Sequence, residues 1–272
     1  MSLSRFISRR IAIAFIVLAS VTAAFGQSSS AKLGSDTAKG GFRNEDAIRD
    51  KFNAFRTDDD AKAWLRAMGY DPAAIVSLAA SKPHGEKADV EIVIETAKGK
   101  TREGISIKLV SGQRGFNQID KRRLSHYREM WKMPDEVVAA LKLFVGETPP
   151  TKPGRSKDRM FLNEIDPQAR DAVIKFFSEN KERIVSDLFA GDGDHDAGWI
   201  MVAFKPSEKT EWIIRTAAKA VEFYGDGDVK LTRSGNLKIG RITMQRKGGD
   251  AGRESAKMLQ FKIDPVELFN AK

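Results

Sequence analysis

Asp89 opens a β-branched stretch, and Ser106-Ile107-Lys108 lies within the next one, beyond the turn Lys98-Gly99-Lys100. Side chains alternate along a strand, so Ser106 and Lys108 share a face, and a hairpin through that turn can bring Asp89 beside them. A carboxylate next to a lysine suits phosphodiester hydrolysis. The carboxylate can hold a divalent metal that offsets charge at the reacting phosphorus and lowers the pKa of a water, while the lysine orients that water or helps deprotonate it. The same residues also make an ordinary charged edge hairpin, and their spacing alone does not separate the two readings.

Such a site needs a scaffold. Val90, Ile92 and Ile94 alternate with Asp89, Glu91 and Val93, so Ala88 to Glu95 reads as a strand, and Gly104 to Val110 pairs back on it. Upstream, Ile48, Phe52 and Phe55 recur at helical spacing behind the candidate cap Asn44. Trp64, Leu65 and Met68 mark a second short helix that Gly69 ends. Downstream, a loop from Ser111 to Phe116 leads into a helix expected over 117–131 and a further helix from Pro134 to Val145. Pro149-Pro150 and Lys152-Pro153-Gly154 form a long loop or linker, and one long helix is expected from Asp166 to Phe189. Strands follow at Trp199 to Phe204 and Glu211 to Ile214, then a helical stretch to Tyr224, then short strands at Val229 to Leu231, Leu237 to Met244 and Met258 to Ile263. This order predicts the α/β class, a mixed central sheet flanked by helices in a single domain rather than a regular βαβ array.

Composition narrows the chemistry. The absence of cysteine excludes disulfides, cysteine nucleophiles and thiolate metal sites. His84, His126 and His195 show no metal-ligand spacing, and Asp192-Gly193-Asp194-His195-Asp196 starts like a calcium loop but has Ala197 where glycine is needed and Ala203 where the bidentate glutamate belongs. A net charge of +9 favours a polyanionic partner. Much of the asymmetry lies between Lys230 and Lys272, where ten basic residues face four acids. Arginine or lysine can donate to guanine N7 and O6, and a glutamine amide both donates and accepts at a base edge. Gln245, Arg246 and Lys247 precede Gly248-Gly249, and Gln260 and Lys262 face the same side of their strand. These groups either read bases or form a solvated basic surface that touches only phosphates.

Asp89, the Ser106-x-Lys108 strand and Glu45 on a preceding helix follow the layout of the PD-(D/E)xK nuclease superfamily. A narrower resemblance rests on Leu109-Val110-Ser111-Gly112-Gln113-Arg114-Gly115-Phe116-Asn117-Gln118-Ile119-Asp120-Lys121, together with Thr37 to Phe42, His126 to Trp131 and Gln245 to Asp250. These runs closely resemble the small type II restriction endonucleases that cut GCGC and are related to MspI, over about Leu33 to Phe269. The resemblance implies a restriction-endonuclease-like fold and magnesium-dependent hydrolysis of double-stranded DNA at GCGC, cut after the first G to leave a short 5′ overhang. It also implies a cognate DNA methyltransferase that protects the host's sites, and a monomer or homodimer.

Residue by residue, the resemblance makes Asp89 the metal-binding carboxylate, Lys108 the catalytic lysine and Ser106 the third motif position, a further metal ligand. Serine there departs from the usual acid or amide, and Ala88 replaces the usual proline. Glu45 completes a second metal site or caps its helix. Phe116, with Gln118 beside it, would enter the duplex, since an apolar side chain can fill the gap at a partly unstacked base step; the alternative is a phenylalanine tucked into the core. Gln260-Phe261-Lys262 resembles the base-reading strand of the group. Ser106 also motivates a competing reading, a catalytically silent DNA-binding protein on the same fold.

The first 27 residues stand apart. Arg5, Arg9 and Arg10 precede an apolar run from Ile11 to Phe25 and the small residues Ala23, Ala24 and Gly26, which has signal-peptide form. The other reading is a mis-assigned start that appends a tail to a domain spanning 28–272. The first makes the protein an exported nuclease, and the second leaves it in the cytoplasm, where restriction acts.

Overall fold

The computed structural model describes residues 39–84, 87–112, 114–191, 196–248 and 254–271. The chain divides into two compact units, Met1–Phe42 and Arg43–Lys272. The segment 1–27 and the turn expected at Asp192–His195 lie outside the described residues.

Helix α1 is already formed at residue 43 and runs to residue 53, so neither Asn44 nor Glu45 stands at its start. Helix α2 (Asp59–Ala67) is capped by Asp58, whose carboxylate accepts from the Ala61 N–H at 2.9 Å. The strands β1 (Ile75–Ser81), β2 (Val90–Thr96), β3 (Gly99–Val110), β5 (Trp199–Phe204) and β6 (Glu211–Thr216) form one sheet in the order β1-β2-β3-β5-β6. All its pairs are antiparallel except β3 with β5. The β2–β3 hairpin turns at Gly99, whose φ of +126° is open to glycine and costly for other residues.

Period-two patterning sets the two faces of this sheet. Val90, Ile92, Ile94, Ile105 and Ile107 pack with Ile48, Phe52, Trp64 and Leu65 of α1 and α2. Burial of side chains of this size contributes about 1.5–3 kcal/mol each, which fixes the register. Ser106 and Lys108 therefore point to the opposite face. There they lie across from Ile200 and Val202 of the parallel neighbour, which belong to a second core.

That second core joins the first sheet to α3 (Leu124–Trp131), α4 (Asp135–Val145), α5 (Pro167–Glu179), α6 (Lys181–Phe189), α7 (Ala217–Gly225) and α8 (Pro265–Asn270). It also holds the inner face of a second, antiparallel sheet. This sheet comprises β4 (Asn117–Arg123), β7 (Val229–Leu231), β8 (Leu237–Ile239), β9 (Ile242–Arg246) and β10 (Met258–Ile263), in the order β4-β10-β9-β8-β7.

Several expectations need correction. The first half of the helix expected over 117–131 is strand β4, because Asn117–Arg123 pairs with β10, and only Leu124 onward is helical. The long helix 166–189 is two helices, broken at Asn180, whose side chain donates back to the Phe176 carbonyl at 2.9 Å. The strand expected from Leu237 to Met244 is a hairpin turning through Gly240, where a Cβ would press on the Tyr224 and Asp226 carbonyls. Strand β1, at one edge of the first sheet, was not anticipated.

Candidate active site and nucleic-acid interface

Asp89 sits one residue before β2 and extends the hairpin register, its N–H donating to the Ile105 carbonyl at 2.9 Å. Its Oδ2 accepts from the Ile107 N–H at 2.6 Å and the Ser106 hydroxyl at 3.2 Å. Lys108 Nζ donates to Ser106 Oγ at 2.9 Å and to the Ile107 carbonyl at 3.1 Å, and lies 3.7 Å from Asp89 Oδ2. The three expected side chains thus form one chain, lysine to serine to aspartate, with Ser106 only 3% exposed at its centre. Glu45 pairs instead with Lys82 at 3.0 Å. Burial works against the Lys82 charge, but hydrogen bonds and attraction from Glu45 and Asp46 outweigh it and raise the lysine's pKa. Among the described residues no group of three or more His, Asp or Glu side chains gathers as a metal cluster.

Beside this chain lies a group that sequence reasoning missed. Lys87 Nζ donates to the Ile119 carbonyl at 2.9 Å and stands 3.5 Å from Asp120. Asp120 also accepts from Tyr127 at 2.5 Å and Arg122 at 3.1 Å. Burial lowers the Lys87 pKa to about 8, Asp120 opposes the shift, and the positive charges of Lys108 and Arg122 add to it. Burial, and then Asp120, raise that of Tyr127. Asp120 reaches the interior through an irregularity in pairing: Phe261 faces Asp120 and Lys262 faces Gln118, so Ile119 and Asp120 both turn inward. A seven-residue polar-rich stretch gives no local sign of that bulge.

The second sheet turns its other face outward. Gln260 lies opposite Gln245, and Lys262 lies opposite both Gln118 and Thr243, so these side chains share one face. Gln245 Nε2 donates to Gln260 Oε1 at 3.3 Å, and Gln260 Nε2 to Gln118 Oε1 at 2.8 Å, an amide ladder across three strands. Burial lowers the pKa of the half-buried Lys262. Arg246, one residue on from Gln245, is not brought to this face. It stacks on the Phe161 ring at 3.8 Å, with Arg155 on the same ring at 3.9 Å, and burial followed by repulsion from Arg159 lowers its pKa to about 10. Lys247 is held by its backbone, donating to Met258 and accepting from Arg159. Phe116 is not tucked into the core: it is 69% exposed, on a cavity it lines with Arg114, Lys238 and Arg241.

The fold, a mixed sheet and an antiparallel sheet flanked by helices, is that of a restriction endonuclease. The solved structure of restriction endonuclease MspI in complex with its cognate DNA matches with a TM-score of 0.54 at 13% identity, over 78% of this chain and 80% of that one. The family model described as R.HinP1I restriction endonuclease matches residues 68–269. The chain belongs to that family, and as a type II restriction endonuclease it is a deoxyribonuclease. No curated protein matches it.

Proposed function

We propose that the protein is a PD-(D/E)xK endonuclease that hydrolyses both strands of duplex DNA at GCGC with magnesium, after the first G, leaving a short 5′ overhang. The observation that carries this reading is the Lys108–Ser106–Asp89 chain on one face of β3. A carboxylate, a hydroxyl and the Ile107 carbonyl converge there. Such an all-oxygen set suits magnesium, which binds through one or two carboxylates and keeps several waters. When bound, magnesium supplies positive charge at the phosphorus and a water of lowered pKa.

The chain's own residues do the rest. Asp89 and Ser106 would hold the metal, and the Ile107 N–H keeps Asp89 oriented. Lys108, tethered at Ser106 Oγ and the Ile107 carbonyl, presents its ammonium beside Asp89, placed to orient the attacking water and meet charge developing on phosphate oxygens. Glu45, ion-paired with Lys82, would be the ligand for a second metal. Phe116 is the wedge, Gln118, Gln245, Gln260 and Lys262 read bases, and Lys247 contributes to the DNA contact, while Arg246, stacked on Phe161, supports the strand end behind them. MspI, solved with its cognate DNA, supports a duplex partner. The protein works in the cytoplasm, as a monomer or homodimer, beside a methyltransferase that protects host sites.

Digesting unmethylated DNA in magnesium and sequencing the ends tests this reading. Ends at GCGC with a short 5′ overhang are expected. Intact DNA under all divalent metals tried would overturn the assignment of activity, and ends at another sequence would overturn GCGC.

A further inference from the structure

We propose that Lys87 and Asp120 are a positioning pair, a buried link through which the seating of β4 on DNA sets the position of Asp89. This deepens the functional reading above and rests on it.

The link has a firm attachment at each end. Lys87 lies two residues ahead of Asp89, whose N–H is fixed to β3. Its ammonium holds both the Ile119 carbonyl and the Asp120 carboxylate, consecutive residues of β4. Its stem packs against Gly191, where an added Cβ would come within 3.1 Å of the Lys87 Cβ. At the other end, Asp120 turns inward next to Gln118, which turns outward into the amide ladder, so the two faces of one short strand carry the two functions. Tyr127 and Arg122 hold the same carboxylate, and a shift of β4 therefore moves the Lys87 anchor rather than a loose side chain.

Charge supports the same reading. Lys87 and Asp120 are almost fully enclosed, with side chains 12% and 7% exposed. Enclosed ion pairs contribute little stability over apolar residues of the same shape, so holding one here serves placement. Lys87, Lys108 and Arg122 outnumber Asp89 and Asp120, which leaves positive charge for an incoming phosphate. Reacting groups misplaced by an ångström lose about 100-fold in rate, so a link of this kind has leverage.

The test measures two quantities for the full chain and its variants. One is affinity for a GCGC duplex in calcium. The other is the single-turnover cleavage rate in magnesium on that duplex and on one with a single base pair exchanged. Lys87→Met and Asp120→Asn are expected to lower the GCGC cleavage rate by about 10- to 100-fold with affinity changed less than about threefold. The rate ratio between the two duplexes is expected to shrink, and the double variant to lose no more than either single one. Tyr127→Phe, which removes one hydrogen bond from Asp120, should give a smaller loss of the same pattern and keeps the test valid if Asp120→Asn does not fold. Wild-type cleavage by Lys87→Met, losses that multiply in the double variant, or equal losses of binding and cutting on both duplexes would overturn the link. If the wild-type protein cuts another duplex, that duplex takes the place of GCGC; if it cuts none, the functional reading falls first.

Discussion

The two five-stranded sheets are built to opposite plans. The first is covered on one face by α1 and α2 and sinks its polar chain of Asp89, Ser106 and Lys108 into the other, over the core it shares with the helices. The second is wholly antiparallel, gives Leu259, Phe261 and Ile263 to that core, and carries on its other face an amide ladder that runs from exposed Gln118 to buried Gln260 and half-buried Gln245. Antiparallel sheets tolerate one face left to solvent, whereas parallel pairing, as between β3 and β5, is found in sheets covered on both sides. Hydrolysis profits from fixed, partly enclosed charges, and reading a groove needs a broad polar surface; the proposed function assigns each demand to a separate sheet.

The contrast breaks if chemistry and recognition do not separate by mutation. The largest effect is expected for Asp89→Ala and Lys108→Ala, which should lower single-turnover cleavage by about 10²–10⁴-fold while binding to a GCGC duplex persists. Rapid-quench and binding assays check this, and wild-type cutting by either variant would remove the site from the first sheet. Next comes Phe261→Ala, at the centre of the second sheet's inner face, in edge contact with Tyr127 and Trp131. It should cost about 3–5 kcal/mol in urea unfolding.

Gln260→Ala and Lys262→Ala sharpen the division. If these residues read bases, each costs about 1–3 kcal/mol on the specific site and narrows the gap to a scrambled duplex. If they only touch phosphate, loss is uniform across sequences and the salt dependence drops by about one unit of slope. The smallest change is expected for Ser106→Gln and Ser106→Glu, which lengthen the oxygen ligand and should leave cutting intact or lower its magnesium requirement. Folded but inactive variants of both kinds would mean that the 3% exposed site admits only a small side chain.

What the sequence revealed depended on the range of the forces involved. The β2–β3 hairpin was legible because its alternation, its turn and its two chemical groups all lie within Ala88 to Val110. Strand β4 was not, since its partner is β10 at the far end of the chain, and Asn117–Arg123 read locally as the start of a helix. Lys87 and Asp120 escaped because the bulge in β4 turns Asp120 inward, and Lys87 is enclosed by its contact with that strand. The break at Asn180 and the stacking of Arg246 on Phe161 likewise follow from tertiary packing rather than periodicity.

The central place of β10 has a consequence for how the protein is made. Gln118 and Gln260 are bonded across 142 positions, and β10 separates β4 from β9 in the sheet. On the ribosome the hairpin with Asp89 and Lys108 emerges early, and contacts this distant in sequence close late. A chain stopped short of Met258 holds the hairpin, yet both β4 and β9 lack the strand that joins them. The second sheet of the nascent nuclease therefore closes only once Met258–Ile263 has emerged.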